Sequence, residues 1–250
     1  MNDILKAAQI LRVGGLVGFP TETVYGLGAN ALNDLAVAKI YEAKGRPSFN
    51  PLIVHVATVK EALALGEFSA DALKLAHTFW PGPLTLVVPR RADCKISLLA
   101  SAGLPSIALR VPGHPLALQL LRKIGLPLVA PSANPSGRIS PTTAQHVRDG
   151  LGDKVDYVLD GGACAVGVES TIISFLDEGP RLLRAGGLAR GEIEAILGQT
   201  LREAEAGPLH APGQLESHYA PRAQVRLNAT NWNNGEARLG FGTMDATLNL

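Results

Sequence analysis

The stretch Pro20-Thr-Glu-Thr-Val-Tyr-Gly-Leu-Gly28 places the strongest constraint on how this chain folds. It follows the apolar run 16–19, which is typical of a buried strand. Pro20 ends that strand because it has no N–H to donate to a sheet ladder. Four side chains that can form hydrogen bonds then come before two glycines, which let the backbone approach another group closely. The residue types leave two interpretations open, a polar strand-to-helix loop with a capping threonine or a binding site.

The size and charge of the chain limit the classes of protein to which it can belong. Its 250 residues are 46% hydrophobic and carry a formal net charge of +1. The length predicts one large domain, with or without an appendage. The near-zero net charge means that the protein has no overall positive electrostatic field to attract nucleic acid. No apolar run approaches the ~20 residues of a membrane span, and the N-terminus lacks a signal-peptide pattern. Cys94 and Cys164 show no metal-ligand spacing. We therefore expect a cytoplasmic protein with no membrane partner.

Capping residues and apolar runs divide the first 200 positions into helices and strands. Helices are predicted to begin at Asp3, Asn33, Ser69, His114, Ser140 and Gly191. Strands are predicted over 16–19, 51–56, 84–88, 106–111, 126–130, 155–159, 170–175 and 181–184. Strict β-α-β order is not kept. The pattern therefore predicts an α/β fold, a single large domain with a twisted mixed β-sheet flanked by helices.

The composition changes near Arg202, after which Gly, Pro and Ala become frequent. We predict a main domain over 1–201 and a linker over 202–222 that carries His218-Tyr-Ala-Pro221. Strands are predicted over 223–227 and 237–241. The segment 223–250 has too little apolar material for its own core, which indicates a short β appendage.

Several common motifs are missing from the sequence. There is no Gly-x-x-x-x-Gly-Lys-Ser/Thr loop, no zinc-ligand cluster and no Gly-x-Ser-x-Gly elbow. Gly26-x-Gly28-x-x-Ala31 half resembles a dinucleotide fingerprint, but it follows a polar loop instead of a strand. A dinucleotide-binding domain is therefore disfavoured.

Small polar side chains and cations recur at predicted strand ends. Ser106 and Arg110 share one strand at i and i+4, so their side chains point to the same face. A buried strand tolerates Arg110 only if a ligand carboxylate or a Glu pairs with it. The alternative is an edge strand with a solvated Arg. Arg pairs bidentately with carboxylate or phosphate, so these residues together indicate an anion pocket, although each serine alone is more typical of a cap or turn.

Five motifs, in order, resemble those of the YrdC-type threonylcarbamoyl-AMP synthases over about residues 5 to 200. They are Pro20-Thr-Glu-Thr-Val-Tyr-Gly, Lys44-x-Arg-Pro, Pro81-Gly-Pro, Ala130-Pro-Ser-Ala-Asn-x-Ser-Gly and Glu169-Ser-Thr. His218-Tyr-Ala-Pro221 resembles the long form of the family, which adds a second, smaller domain. About thirty residues follow this motif, so we expect that domain to be truncated.

The resemblance implies an enzyme that forms threonylcarbamoyl-AMP and pyrophosphate from L-threonine, bicarbonate and ATP, with Mg²⁺ on the phosphates. Partner proteins of a threonylcarbamoyl-transferase complex then modify tRNA, which is itself a candidate partner. The implied catalytic residues are Lys44 and Arg46, which also face the ATP phosphates. The implied threonine contacts are Thr23, His55, Arg110, Ala130 and Ser170. The further implied ATP contacts are Asn50, Ser106, Ser132, Ser140, Arg184 and Tyr219.

Two alternatives stay open on the sequence. One is a non-catalytic module of the same fold that binds double-stranded RNA or tRNA, against which the near-neutral charge and the lack of aromatic stacking motifs count. The other is a related protein that carbamoylates something else. Maturation proteins of that kind carry zinc-finger and acylphosphatase segments, which this chain lacks.

Overall fold

A computed structural model of the chain describes residues 3–47, 50–204, 225–240 and 246–249. The chain divides into two compact units, residues 1–220 and 221–250. The helices are α1 Asp3–Arg12, α2 Asp34–Lys44, α3 Val59–Leu63, α4 Ala70–Phe79, α5 Pro115–Ile124, α6 Ala144–Leu151 and α7 Arg190–Leu197. A 3₁₀ turn, Gly152–Lys154, follows α6. Among the described residues, no helix has the length and apolar character needed to cross a membrane.

A single sheet runs through the first unit. Its strands are β1 Val17–Phe19, β2 Gly26–Asn30, β3 Ile53–His55, β4 Leu84–Pro89, β5 Ser106–Arg110, β6 Leu128–Val129, β7 Tyr157–Val158, β8 Thr171–Ser174, β9 Arg181–Arg184 and β10 Arg202–Glu203. Their order across the sheet is β10-β9-β8-β4-β5-β3-β6-β2-β1-β7. Four pairs are parallel, β1 with β7, β3 with β5, β4 with β8, and β9 with β10. The other pairs are antiparallel. The predicted mixed sheet is confirmed.

Helices cover both faces of this sheet, as predicted. On one face, Ile107 and Leu109 of β5 pack in a cluster with Ile40 of α2 and Leu75 of α4. Ala108, between them, belongs to a separate cluster, because successive side chains of a strand point to opposite faces. A further cluster joins α1 and α5 to β1 and β6. Strands buried on both faces read as nearly continuous apolar runs, which is why they were recognisable in the sequence.

Local capping explains where the helices that border the site begin and end. The Asn33 side chain accepts a hydrogen bond from the Ala36 N–H at 3.2 Å, which satisfies one of the free amides at the start of α2. The same helix ends at Gly45, whose φ of 58° lies in the left-handed region that glycine adopts without strain. Ser69 and His114 cap α4 and α5 in the same way. These predicted starts are confirmed.

One of the two interpretations of the polar stretch, a strand-to-helix loop, is wrong, and so is one predicted helix start. The polar stretch after β1 does not lead into a helix. It leads into strand β2, and a Cβ atom on Gly28 would lie 2.8 Å from the Phe19 ring, so this glycine lets the two strands pack closely. The helix predicted to begin at Ser140 begins at Ala144, because Thr143 accepts the hydrogen bond from the His146 N–H. The Ser140 hydroxyl is engaged elsewhere, with Glu169.

The second unit contains a small parallel pair of strands, β11 Leu239–Gly240 and β12 Leu248–Asn249. Strand β11 lies within the predicted strand 237–241. Residues 225–227 of the other predicted strand do not form a β-strand, so that prediction was wrong for this part. Residues 223–224 lie outside the described residues. The Arg226 guanidinium instead forms an ion pair with Glu236 at 2.6 Å. The domain boundaries expected from the sequence stay a prediction.

Candidate active site

One pocket gathers most of the predicted site residues. It opens where the β1–β2 loop, the ends of β3, β5 and β6, and strand β9 meet, and the space between its lining atoms, including the part open to solvent, is about 520 Å³. The lining residues are Thr21, Thr23, Val24, Gly26, Arg46, Ile53, His55, Arg110, Ala130, Pro131, Ser132, Glu169, Ser170 and Arg184. All five predicted threonine contacts are among them.

The β1–β2 loop is organised by its own hydroxyl groups. The Thr21 hydroxyl donates to the Val24 carbonyl at 2.6 Å, and it lies 2.8 Å from the Thr23 hydroxyl. The backbone N–H groups of Thr23 and Val24 also donate to the Thr21 oxygen. This local network fixes the loop, so that Thr21 and Thr23 reach the pocket from a rigid turn.

Arg110 is the buried cation that the sequence predicted to need a partner, and Glu22 is that partner. Arg110 Nη2 donates to Glu22 Oε1 at 2.6 Å and to the Thr23 hydroxyl at 3.0 Å. Arg110 Nε donates to the Gly82 carbonyl at 3.3 Å. The other Glu22 oxygen accepts from the Gly113 N–H at 2.9 Å. Among the described residues, Arg110 Nη1 makes no hydrogen bond, which leaves this nitrogen for a ligand carboxylate.

Arg184 and Ser170 form the wall that strands β8 and β9 supply. The Arg184 Nε and Nη2 atoms donate to the Ser170 carbonyl at 3.2 and 2.9 Å. The Ser170 hydroxyl lies 2.7 Å from the Thr85 hydroxyl, and this hydrogen bond orients it. Burial lowers the pKa of Arg184 to about 10, a fall that the nearby Glu169 carboxylate opposes. At neutral pH the guanidinium therefore stays charged.

Arg46 extends into the pocket from the loop that follows α2. Its Nη2 donates to the Pro51 carbonyl at 3.0 Å, and its Nε donates to the Asn50 carbonyl at 3.3 Å. Burial lowers its pKa to about 10, so it too is charged at neutral pH. Asn50 does not line the pocket, but its buried Oδ1 has no hydrogen-bond partner among the described residues. An unpaired buried acceptor of this kind suits a ligand donor.

Lys44 is not among the residues that line the pocket. Only 3% of its surface is exposed, and its Nζ donates to the backbone carbonyls of Ser132 and Asn134. Burial lowers its pKa to about 7, with a further lowering from Arg46 and an opposing effect from Glu169. The predicted catalytic lysine therefore faces main-chain oxygens.

His55 reaches the pocket as an uncharged ring. Burial, with the positive charge of Arg110 beside it, lowers its pKa to about 3. Its Nδ1 lies 3.2 Å from the Ile53 carbonyl, and its ring packs edge-on against Phe19 with 6.3 Å between centroids. A neutral, packed imidazole is suited to shaping a pocket rather than to carrying charge.

Two of the predicted ATP contacts, Ser106 and Ser140, do not line the pocket. Ser140 donates to Glu169, which itself lines the pocket. Ser106 lies at the opposite end of β5 from Arg110, paired with Pro89, roughly 13 Å away at the usual rise of a strand. Tyr219 lies outside the described residues. The roles of Ser106, Ser140 and Tyr219 stay predictions.

Comparison with known proteins identifies the family. Residues 9–186 match the Sua5–YciO–YrdC family model, described as telomere recombination. Residues 188–246 match the model described as the C-terminal domain of threonylcarbamoyl-AMP synthase. The chain belongs to the Sua5–YciO–YrdC family. The resemblance inferred from the five motifs is confirmed.

Members of this family that are named threonylcarbamoyl-AMP synthase or Sua5 are similar to the chain in sequence and in structure. The threonylcarbamoyl-AMP synthase of Bacillus subtilis is 49% identical over 90% of this chain and 67% of its own length. That of Pyrococcus abyssi is 47% identical over 88% of this chain and 66% of its own length. The chain thus spans about two thirds of these relatives. The crystal structure of Pyrococcus abyssi Sua5 complexed with L-threonine matches with a TM-score of 0.88 and 40% identity, over 99% of this chain and 79% of that one.

Two acidic residues of the Sua5–YciO–YrdC site were not among the predicted site residues. One contacts a residue that lines the pocket and the other lines the pocket itself. Glu22 is the ion-pair partner of Arg110, and Glu169 lines the pocket beside Arg184 and accepts from Ser140. Both belong to the recognised motifs, Glu22 to Pro20-Thr-Glu-Thr and Glu169 to Glu-Ser-Thr. The sequence predicted that buried Arg110 needs a ligand carboxylate or a Glu as its partner, but it did not indicate which Glu would be that partner.

Proposed function

We propose that this chain is a threonylcarbamoyl-AMP synthase, which converts L-threonine, bicarbonate and ATP into threonylcarbamoyl-AMP and pyrophosphate. The observation that carries the proposal is the set of three guanidinium groups, from Arg46, Arg110 and Arg184, that line one pocket. Substrates with one carboxylate and three phosphates need such a set, because Arg pairs bidentately with both groups. Membership of the family supports the same activity.

L-Threonine would bind at the Arg110 side of the pocket. The free Nη1 edge of Arg110 and the Thr23 hydroxyl are suited to its carboxylate. The neutral His55 ring and the Ala130 methyl group give a small, largely apolar wall for its side chain, and Ser170 offers a hydroxyl. Because Glu22 already occupies Nη2, the carboxylate would contact Arg110 through one nitrogen unless Glu22 moves away.

ATP would place its phosphates between Arg46 and Arg184, which stay charged although they are buried. Ser132, at the end of β6, adds a neutral donor, and Asn50 and Ser140 lie next to residues of the pocket. We keep Ser106 and Tyr219 as predicted contacts. The Lys44 ammonium faces carbonyl oxygens, so we do not include it among the phosphate ligands.

The chemistry requires little covalent work from the protein. The threonine amine adds to CO₂ derived from bicarbonate and forms a carbamate. A carbamate oxygen then attacks the α-phosphorus, and pyrophosphate leaves. Arg110 would hold the amino acid in line, while Arg46 and Arg184 would stabilise the charge that builds up on the leaving pyrophosphate. Positioning and preorganised positive charge supply most of the rate in phosphoryl and nucleotidyl transfer.

Magnesium would be bound at this site mainly through the phosphates of ATP. Among the described residues, no group of three or more His, Cys, Asp or Glu side chains could hold a metal ion. A Mg²⁺ bound mainly through substrate phosphates needs only one or two protein carboxylates. Glu169 lines the pocket next to Arg184 and would supply one such ligand, and the ion would neutralise phosphate charge.

The wider setting follows from the proposed product. A mixed anhydride of this kind is consumed by a group-transfer reaction, so proteins of a threonylcarbamoyl-transferase complex are the proposed partners and tRNA the proposed acceptor. A cytoplasmic location is part of the same proposal.

Pyrophosphate release tests the proposal directly. The protein is incubated with L-threonine, bicarbonate, Mg²⁺ and ATP, and then with each component left out in turn. We expect release only from the complete mixture. Arg46→Ala should abolish it, whereas Arg122→Ala, at an exposed site near the end of α5, should not. Salt-sensitive binding of tRNA without any turnover would instead support the non-catalytic RNA-binding module.

A further inference from the structure

Lys44 makes three contacts to a single loop, residues 131–137, which follows β6. Its Nζ donates to the carbonyl oxygens of Ser132 and Asn134. Its own carbonyl accepts from the Ser136 N–H at 2.8 Å. The last residue of α2 therefore holds this loop at both ends, through its side chain and its backbone.

The 131–137 loop forms part of the wall of the pocket. Pro131 and Ser132 line the pocket directly, as does Ala130 before them. The loop is also tied to β2, where the Ala133 N–H donates to the Tyr25 carbonyl at 2.8 Å and the Pro131 carbonyl accepts from the Leu27 N–H at 2.8 Å. A displacement of the loop would therefore move surfaces that face both proposed substrates.

The environment of the Lys44 ammonium argues against direct contact with phosphate. Only 3% of the residue is exposed, and it does not line the pocket, unlike its neighbour Arg46. Burying an amine is costly unless its donors are paired, and two backbone carbonyl oxygens accept hydrogen bonds from Lys44 Nζ here. Turning Nζ towards a phosphate would leave both carbonyls without this partner.

We propose that Lys44 is a positioning residue, which holds the 131–137 loop so that Ser132 and Ala130 face the substrates, and that it does not bind phosphate. The inference rests on the proposed function for the identity of the substrates. The fixed geometry of the loop in the ligand-free protein does not depend on that identity.

Lys44→Met tests the inference, because it keeps an unbranched apolar stem and removes the donors. Amide hydrogen exchange is measured on the ligand-free proteins, and dissociation constants are measured for L-threonine and for ATP. We expect exchange at Ala133 and Ser136 to become at least tenfold faster. Both dissociation constants should rise by about tenfold or more, since hydrogen bonds to a charged group contribute roughly 1.5–3 kcal/mol. Lys44→Gln, which retains a neutral donor, should show a smaller change in each, and it replaces Lys44→Met if that variant does not fold.

Arg46→Met is the matched comparison, since Arg46 lines the pocket and lies two positions away. Arg46→Met should weaken ATP binding. It should leave the amide hydrogen exchange of the 131–137 loop and the dissociation constant for L-threonine near their wild-type values. If Lys44→Met gives this same pattern, or leaves exchange of the loop unchanged, the inference is wrong. A wild-type protein that binds neither substrate would contradict the proposed function instead, and the exchange data would still test the positioning role.

Discussion

At the scale of single residues, the site depends on charged groups that are buried but paired. Arg110 is held by Glu22, Arg184 by the Ser170 carbonyl, and Lys44 by two carbonyl oxygens. An unpaired buried charge would be strongly destabilising, so these contacts hold three basic side chains next to one pocket. Lys44 is only partly charged at neutral pH, because burial lowers its pKa to about 7. The Nη1 edge of Arg110 is left for a ligand.

Arg110→Ala should therefore raise the Michaelis constant for threonine at least thirtyfold, because a desolvated charged pair contributes roughly 2–5 kcal/mol. Arg110→Lys should also fail, since a point charge cannot replace the planar fork of the guanidinium. Competition by L-threoninol, which lacks the carboxylate, is the control. Its binding should be weak in the wild type and unchanged in Arg110→Ala. A wild-type threonine dependence in either variant would contradict the assignment.

His55 makes stability depend on pH. Burial lowers its pKa to about 3 in the folded protein, from 6.5 in an unfolded chain. Between these values the unfolded chain binds the proton and the folded protein does not, so the free energy of unfolding falls as the pH decreases from 6.5 towards 3. From pH 7.5 to 5 this loss should be about 2 kcal/mol larger in the wild type than in His55→Gln. Urea unfolding of both proteins at the two pH values measures the difference, and parallel pH profiles would show that His55 titrates normally.

At the scale of secondary-structure elements, close packing of β1 against β2 sets the position of the polar loop between them. Gly28 of β2 lies against the ring of Phe19 of β1, where a Cβ atom would be 2.8 Å from the ring. Phe19 in turn packs against His55 of the pocket. The glycine thus fixes the separation of two strands whose connecting loop carries Thr21, Glu22 and Thr23.

Gly28→Ala should destabilise the protein by about 1–3 kcal/mol, the usual cost of overpacking a core. Phe19→Leu removes the ring that the new methyl group would meet. The destabilisation of the double variant should therefore be smaller than the sum of the destabilisations of the two single variants, by at least 0.5 kcal/mol. Chemical denaturation of the four proteins completes this cycle. Strict additivity would mean that the Phe19 ring does not limit the residue at position 28.

At the scale of the whole molecule, the first unit contains every described residue of the pocket. Its last strand, β10, pairs with β9, which carries Arg184. The predicted role of Tyr219, which follows β10 in the sequence, is to fold over the ATP site and exclude water from the intermediate. The residues that line the pocket all precede β10 in the sequence. Removing the chain after β10 therefore tests the role of Tyr219 without removing any residue that lines the pocket.

A chain that ends at Ala204 keeps β10 and should fold with a melting temperature close to that of the full chain. If Tyr219 covers the ATP site, the shortened chain should bind ATP more weakly and release free AMP from hydrolysed intermediate. Tyr219→Ala in the full-length chain should reproduce both changes. Unaltered ATP affinity with no extra AMP in both proteins would contradict the covering role.

The sequence alone determined the features that depend on neighbouring residues. Asn33 and Gly45 mark the ends of α2, Pro20 ends β1, and the motifs name the family. Most strands were recognisable because burial on both faces gives continuous apolar runs. Strand β2 was missed because its glycines are selected by contact with Phe19 and not by strand propensity.

Only the tertiary structure decided which groups meet. Glu22 and Arg110 are 88 positions apart, as are Lys44 and Ser132, and no local pattern specifies such pairs. The motifs suggested that Lys44 and Arg46 act together, yet the structure sends Arg46 into the pocket and Lys44 to carbonyl oxygens behind it. The physical reason is that a buried charge must find its partners wherever the fold brings them, and this depends on how the whole sheet is assembled.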